Sequence, residues 1–357
     1  MLRYLSALAV CLSVSTLALG STTDKGLQAS FDAVKNGKFD SAIQTTTKSL
    51  DDNHLSKADR AGLLALRAYA LLLKDEPKAA KRDLQVAIKI APDTGVQQSV
   101  VIIATQAYLL RAHDYDTKQK WELSIANYSE ALKYNPNSEI AYIGRAEAHT
   151  ANTEFDEAIS DYDHAIRING SSSDTYVDRG AARESKVDFE GAIADYSEAI
   201  KLNSKNDTAF GYRGRGYAIA GNYSAARRDL ERALALRPTD RSSLLWLHLV
   251  HMRVGENDEP WLRKQAATLK LEHWPGPVIS YFLGTKSADE LLQIALHSPE
   301  TARGHQRCDG WFYLGEEALA RKKILRARYL FQKTVGRCNA TDYEWNSARV
   351  ELRRMTE

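Results

Sequence analysis

The side chains best suited to hold a metal are two histidines three apart, His248 and His251, and a trio made of His305, Cys308 and Cys338. On a helix the first two would share a face, because residues three apart are neighbours there. Neither histidine has an acidic or cysteine partner at a matching spacing, and a structural zinc takes four ligands where the trio offers three. The histidine pair therefore reads as packed or solvent-facing side chains, and the trio does not read as a zinc site. The patterns that mark a zinc protease (HExxH), an acyl-transfer serine (GxSxG) or a phosphate-cradling loop do not occur. Gly37-Lys38 has nothing around it to complete such a loop, and Gly211, Gly214 and Gly216 are too regularly placed to form a dinucleotide fingerprint. The sequence thus names no catalytic residue, no metal and no cofactor.

More tempting is a ladder of cations: Arg111, Arg145, Arg179 and Arg213 recur every 34 residues, with Arg67 at the same place further upstream. A row of guanidinium groups could grip an acidic peptide. Asp161, Asp195 and Asp229 keep the same interval, however, and a guanidinium paired with a carboxylate inside its own repeat would be satisfied structurally. The second reading is preferred.

The elements that carry the ladder are written four times: WELSIANYSEALKYN from Trp121, FDEAISDYDHAIRIN from Phe155, FEGAIADYSEAIKLN from Phe189 and YSAARRDLERALALR from Tyr223. Units then begin near Thr105, Glu139, Ser173 and Asp207. Each has an aromatic at position 4 (Tyr108, Tyr142, Tyr176, Phe210) and a small residue at position 8 (Ala112, Ala146, Gly180, Gly214). Each also has a large residue at position 24 (Tyr128, Tyr162, Tyr196, Leu230) and alanine at position 27. This resembles the tetratricopeptide repeat, two antiparallel helices per unit. One pair cannot bury its own apolar faces, whereas a stack can.

The expected fold is an all-α solenoid of helix pairs closed by a capping helix over Tyr343 to Arg354. Irregular units are expected over 21–104, where ten extra residues, Gly95 to Ala104, should lengthen one helix. Four regular units follow over 105–240. Region 241–357 should hold a last unit, with Trp311 at its position 4, and the cap. The resemblance implies that positions 2, 5, 9, 12 and 13 of each first helix line a concave groove. Here they supply Ile140, Ile143, Glu147, Asp174, Val177, Glu184, Thr208, Arg215 and Ile219 as candidate partner-binding residues. The mixture suits an extended, partly apolar peptide. Ile143 and Val177 take no inter-helix packing position and are expected to tolerate aspartate.

From Asp207 to Leu352 the order of landmarks, Leu244-Leu245-Trp246, Trp274, Tyr281-Phe282-Leu283-Gly284 and Phe312-Tyr313-Leu314-Gly315, is similar to the new lipoprotein I family of bacterial envelope repeat proteins. That resemblance implies a homodimer presenting substrates to a periplasmic processing protease. An assembly factor for an envelope polymer or a secretion complex is the alternative.

The 48 Lys and Arg nearly cancel the 46 Asp and Glu, so no chain-wide charge points to nucleic acid. The stretch from Arg303 to Arg354 is locally basic, with 12 cationic against 6 acidic residues, including Arg321-Lys322-Lys323. It is either a solvated turn or a docking face for an anionic partner. At the N-terminus Leu5 to Leu19 is apolar after a cationic start, and Ala18-Leu19-Gly20 offers a signal-peptidase site, so residues 1–20 read as an export signal. The run is too short to span a bilayer, and Val10 before Cys11 argues against lipidation. Export leaves Cys308 and Cys338 facing an oxidising compartment, where the antiparallel ends of one helix pair would let them form a disulfide.

Overall fold

The computed structural model describes residues 25–297, 300–338 and 343–356; the export signal and Cys11 lie outside them. Among the described residues there are nineteen helices and no strand, and the chain divides into two compact units between Ile168 and Asn169.

The first unit contains four helix pairs. They are α1 (Lys25–Lys35) with α2 (Phe39–Leu50), α3 (Lys57–Leu73) with α4 (Pro77–Ile90), α5 (Thr94–Thr117) with α6 (Trp121–Tyr134), and α7 (Glu139–Ala151) with α8 (Phe155–Ile168). The extra Val- and Ile-rich residues after Pro92 do lengthen α5. Val96, Val100, Ile103, Ala104, Ala107 and Tyr108 join Leu63, Leu66, Leu84 and Tyr128 in one core.

In the second unit α9 (Ser173–Ser185) pairs with α10 (Phe189–Leu202), and α11 (Asp207–Ile219) with α12 (Tyr223–Leu236). α13 (Arg241–Val254) is followed by three short helices, α14 (Glu259–Ala266), α15 (Gly276–Phe282) and α16 (Ala288–Leu296). A last pair, α17 (Glu300–Ala320) and α18 (Ile324–Arg337), precedes α19 (Tyr343–Arg354). α17 begins well before Trp311, so Cys308 lies within it rather than ahead of it. Trp246, Leu244, Leu245, Val278, Ile279, Leu291, Phe312 and Phe331 form the main core. No described helix is long and apolar enough to cross a membrane.

Three devices recur with the repeat and explain its sequence. Ser138, Ser172, Asn206 and Asp240, each 34 residues from the next, cap the first helices, their side chains accepting from the backbone N–H of Ala141, Thr175, Ala209 and Ser242. Such a cap satisfies a donor that the helix itself leaves unpaired. The turn between the helices of a pair places one residue at positive φ, again with the same interval: Gln119 (55°), Thr153 (64°), Val187 (65°) and Gly221 (82°). Finally, the small residue at position 8 admits the large one at position 24. A methyl added at Gly180 would stand 2.6 Å from the Tyr196 ring, and one at Gly214 would stand 2.8 Å from Leu230.

Candidate functional site

The arginine ladder is satisfied inside the repeats. Arg67 binds Asp83, Arg145 binds Asp161, Arg179 binds Asp195 and Arg213 binds Asp229, each through Nε and Nη2 at 2.6–3.0 Å and each across 16 residues of sequence. Asp161, Asp195 and Asp229 are buried, so a fork of this kind compensates a desolvated carboxylate on both oxygens. Position 4 completes the arrangement: the guanidinium of Arg145 lies over Tyr142, Arg179 over Tyr176 and Arg213 over Phe210, 5.3–5.8 Å from the ring centres. Where the aspartate is replaced by Asn127, Arg111 donates to its amide oxygen and takes Asp75 and Tyr115 as additional partners.

His248 and His251 are buried, and their Nδ1 atoms each stand 2.8 Å from one carboxylate oxygen of Asp258. The sequence reading missed this acid because it comes from the loop after α13, outside helical spacing. Burial works against ionisation of Asp258, but the two imidazole hydrogen bonds prevail and hold its pKa at about 2. Phe282 packs edge-on against His248, and Trp261 does the same against His251. Among the described residues no group of three or more histidines, cysteines or carboxylates is arranged to hold a metal. The sulfurs of Cys308 and Cys338 are at bonding distance, with Cα atoms 5.9 Å apart.

The nine candidate groove residues fall into different surroundings in the two units. In the first unit Ile140 is 41% exposed, Glu147 is exposed and Ile143 is half-buried, all on α7. In the second unit Asp174 is exposed and Thr208 half-buried, whereas Val177 and Ile219 are core residues, 6% and 3% exposed. Val177 packs with Ala192, Tyr196, Ala199 and Ala209, so it would not tolerate the aspartate that the sequence reading allowed it.

α19 packs over Arg215 and covers most of the Glu184–Arg215 pair. The two side chains pair with each other at 2.8 Å, and the Arg215 guanidinium lies 3.4 Å from the centre of the Tyr343 ring and 4.4 Å from that of Tyr212. Burial raises the pKa of Glu184, and the neighbouring guanidinium opposes the rise. Tyr343 also meets Trp246 edge-on, while Arg253 of α13 bonds both Glu316 of α17 and Glu351 of α19. The helix expected as a cap thus packs on α17 and α18 and also reaches α9, lying over charged residues of the second unit's first helices. A cleft beside it is lined by Thr208, Gly211, Tyr212, Arg215, Ser243 and Trp246.

The tetratricopeptide repeat family model matches residues 109–173 and 178–241, and this part of the chain is built of such repeats. Three solved structures similar to the chain are the MamA protein, PilW and a tetratricopeptide repeat protein from Parabacteroides merdae. MamA is 20% identical, with TM-score 0.43, over 46% of this chain and 91% of its own. PilW, a type IV pilus biogenesis factor, is 16% identical with TM-score 0.44 over 65% and 92%. The Parabacteroides protein is 15% identical with TM-score 0.44 over 82% and 98%. A search among curated proteins found no match. Arrays of this repeat act as scaffolds that bind other proteins and peptides.

Proposed function

We propose that the chain is an exported, non-enzymatic adaptor that gathers other proteins in the cell envelope, and that the first-helix face of its first unit, around Ile140, Ile143 and Glu147, is the contact surface. The observation that carries this reading is the contrast in exposure. Val177, Glu184 and Ile219 are already buried by the protein itself and Arg215 is largely covered, while on α7 Ile140 and Glu147 are exposed and Ile143 is half-buried. Residues that a repeat does not use for packing are the ones whose identity can encode a partner. On α7 they offer two aliphatic side chains and a carboxylate, chemistry suited to an extended, partly apolar segment. Export rests on the apolar run from Leu5 to Leu19, and the Cys308–Cys338 geometry is what an oxidising compartment would use. A periplasmic protease with its substrate, held by a homodimer of this chain, is the specific assembly favoured by the similarity of residues 207–352 to new lipoprotein I.

The test is affinity capture from envelope extract by the chain beginning after Gly20, alongside its Ile140→Asp/Ile143→Asp variant. A protease and its substrate should be retained by the parent and weakened at least tenfold by the variant, about 1.4 kcal/mol, with helical content unchanged. Equal retention by both proteins would remove α7 from the contact surface. Capture of a polymer or a secretion complex instead would favour the assembly-factor role.

A further inference from the structure

α18 and the turn that leads into it present a different kind of surface. From Arg321 to Cys338 the sequence has seven cations (Arg321, Lys322, Lys323, Arg326, Arg328, Lys333 and Arg337) and no acidic residue. One side of the helix belongs to the core through Ala327, Leu330, Phe331 and Thr334. The other side is not uniformly polar, as a solvated helix face would be, but mixes cations with apolar side chains. Six consecutive residues, Arg321 to Arg326, are exposed, and among them Ile324 is 43% and Leu325 82% accessible. One turn on from Leu325 stands Tyr329, 57% accessible, with the Lys333 ammonium 5.2 Å from its ring centre. Arg321 is paired with Glu317, and Arg328 donates to the Met355 carbonyl. Among the described residues no carboxylate pairs with Lys322, Lys323, Arg326 or Lys333.

We infer that this tip docks on the surface of an anionic phospholipid bilayer. The combination of protruding aliphatic side chains, an aromatic ring at the next turn and long cationic side chains around them matches a lipid interface. There Leu325 and Ile324 reach the acyl boundary, Tyr329 stays at headgroup level and the lysines extend to phosphate. A second copy of the same face would bring two sets of uncompensated cations together, which like-charge repulsion opposes. The overall charge of +2 is too small to attract the whole molecule, so any attraction must be local to this tip.

The experiment is co-sedimentation of the chain beginning after Gly20 with vesicles of phosphatidylcholine alone or with about one third phosphatidylglycerol, at about 0.1 M salt, where charges interact over roughly 10 Å. Binding is expected only with phosphatidylglycerol, and it should fall at least tenfold in Lys322→Glu/Lys323→Glu and in Ile324→Ser/Leu325→Ser. A charge-matched control, Lys35→Glu/Lys38→Glu in the first unit, should leave it unchanged. These exposed positions are outside the core, and tryptophan emission checks that each variant is folded. Three results overturn the inference: no binding to the anionic vesicles, equal loss in the control pair, or an acidic protein retained through Lys322 and Leu325 while vesicles are ignored.

Discussion

Arg215→Met should be among the most damaging single substitutions in the second unit. It removes the cation that compensates Glu184, which is 3% exposed, and also the plane on which Tyr343 stacks. Breaking a buried pair by removing one partner costs about 3–5 kcal/mol, because the other charge is left without compensation. Glu184→Leu should cost a similar amount by stranding the guanidinium. Replacing both residues removes both charges and fills the space with aliphatic atoms, so the double variant should lie within about 2 kcal/mol of the parent. Guanidinium unfolding followed by tryptophan emission is the assay, since Trp246, Trp261, Trp274, Trp311 and Trp345 are in the second unit and only Trp121 is in the first. There is also a pH signature. Burial already raises the pKa of Glu184, and without Arg215 it rises further. A carboxyl that prefers the neutral form in the folded state is least costly below its unfolded pKa. The penalty of Arg215→Met should therefore shrink as pH falls from 8 towards 5, by up to about 1.4 kcal/mol per unit while Glu184 is taking up its proton. A loss below about 1 kcal/mol for Arg215→Met, or a double variant no better than the worse single, would refute the argument that α19 closes over a desolvated pair.

Val187 occupies the positive-φ turn position that glycine fills at 221, and a β-branched residue is strained there. Val187→Gly should raise stability by about 1 kcal/mol in urea titrations, whereas Gly221→Val should lower it. Cys308 and Cys338 enclose a segment with a sequence separation of 30. If they are bonded in the exported protein, reduction or Cys308→Ser should cost about 3–4 kcal/mol by loop-closure entropy, measured as a lower melting temperature; free thiols in non-reducing peptide mapping would remove that expectation. Asp258, held at about 2 by His248 and His251, binds a proton less readily when folded than when unfolded. Its stabilising contribution, about 2 kcal/mol at most, is present above pH 4 and lost as pH falls towards 2. Asp258→Asn should flatten that acid limb of the stability profile.

The regular units were legible because each packing requirement is local to one repeat. The 34-residue interval, the small and large residues at positions 8 and 24 and the arginine with its aspartate all follow from two helices meeting within a single unit, so sequence spacing encodes them directly. Val177 and Glu184 were misplaced for the opposite reason. Their exposure depends on contacts with α10, α11 and α19, and α19 lies more than 150 residues away in a part of the chain that follows no repeat. A sign was present nonetheless: Glu184 and Arg215 are opposite charges on the inner faces of successive repeats, which points to a covered pair more than to an open peptide groove. Asp258 was missed because a loop, not a helix, carries it to His248 and His251.

The position of α19 sets a threshold for anything that would take its place. α18 ends at Arg337 and α19 begins at Tyr343, so α19 is joined covalently beside its site, and a segment joined this closely is held at an effective concentration on the order of millimolar. A competing helix at micromolar concentration therefore starts about a thousandfold behind, or roughly 4 kcal/mol, before any difference in contacts. Only a segment with a better answer to Arg215 than the Tyr343 ring, such as a carboxylate joined to an aromatic, could displace it, and weaker encounters with this surface would leave no trace at equilibrium.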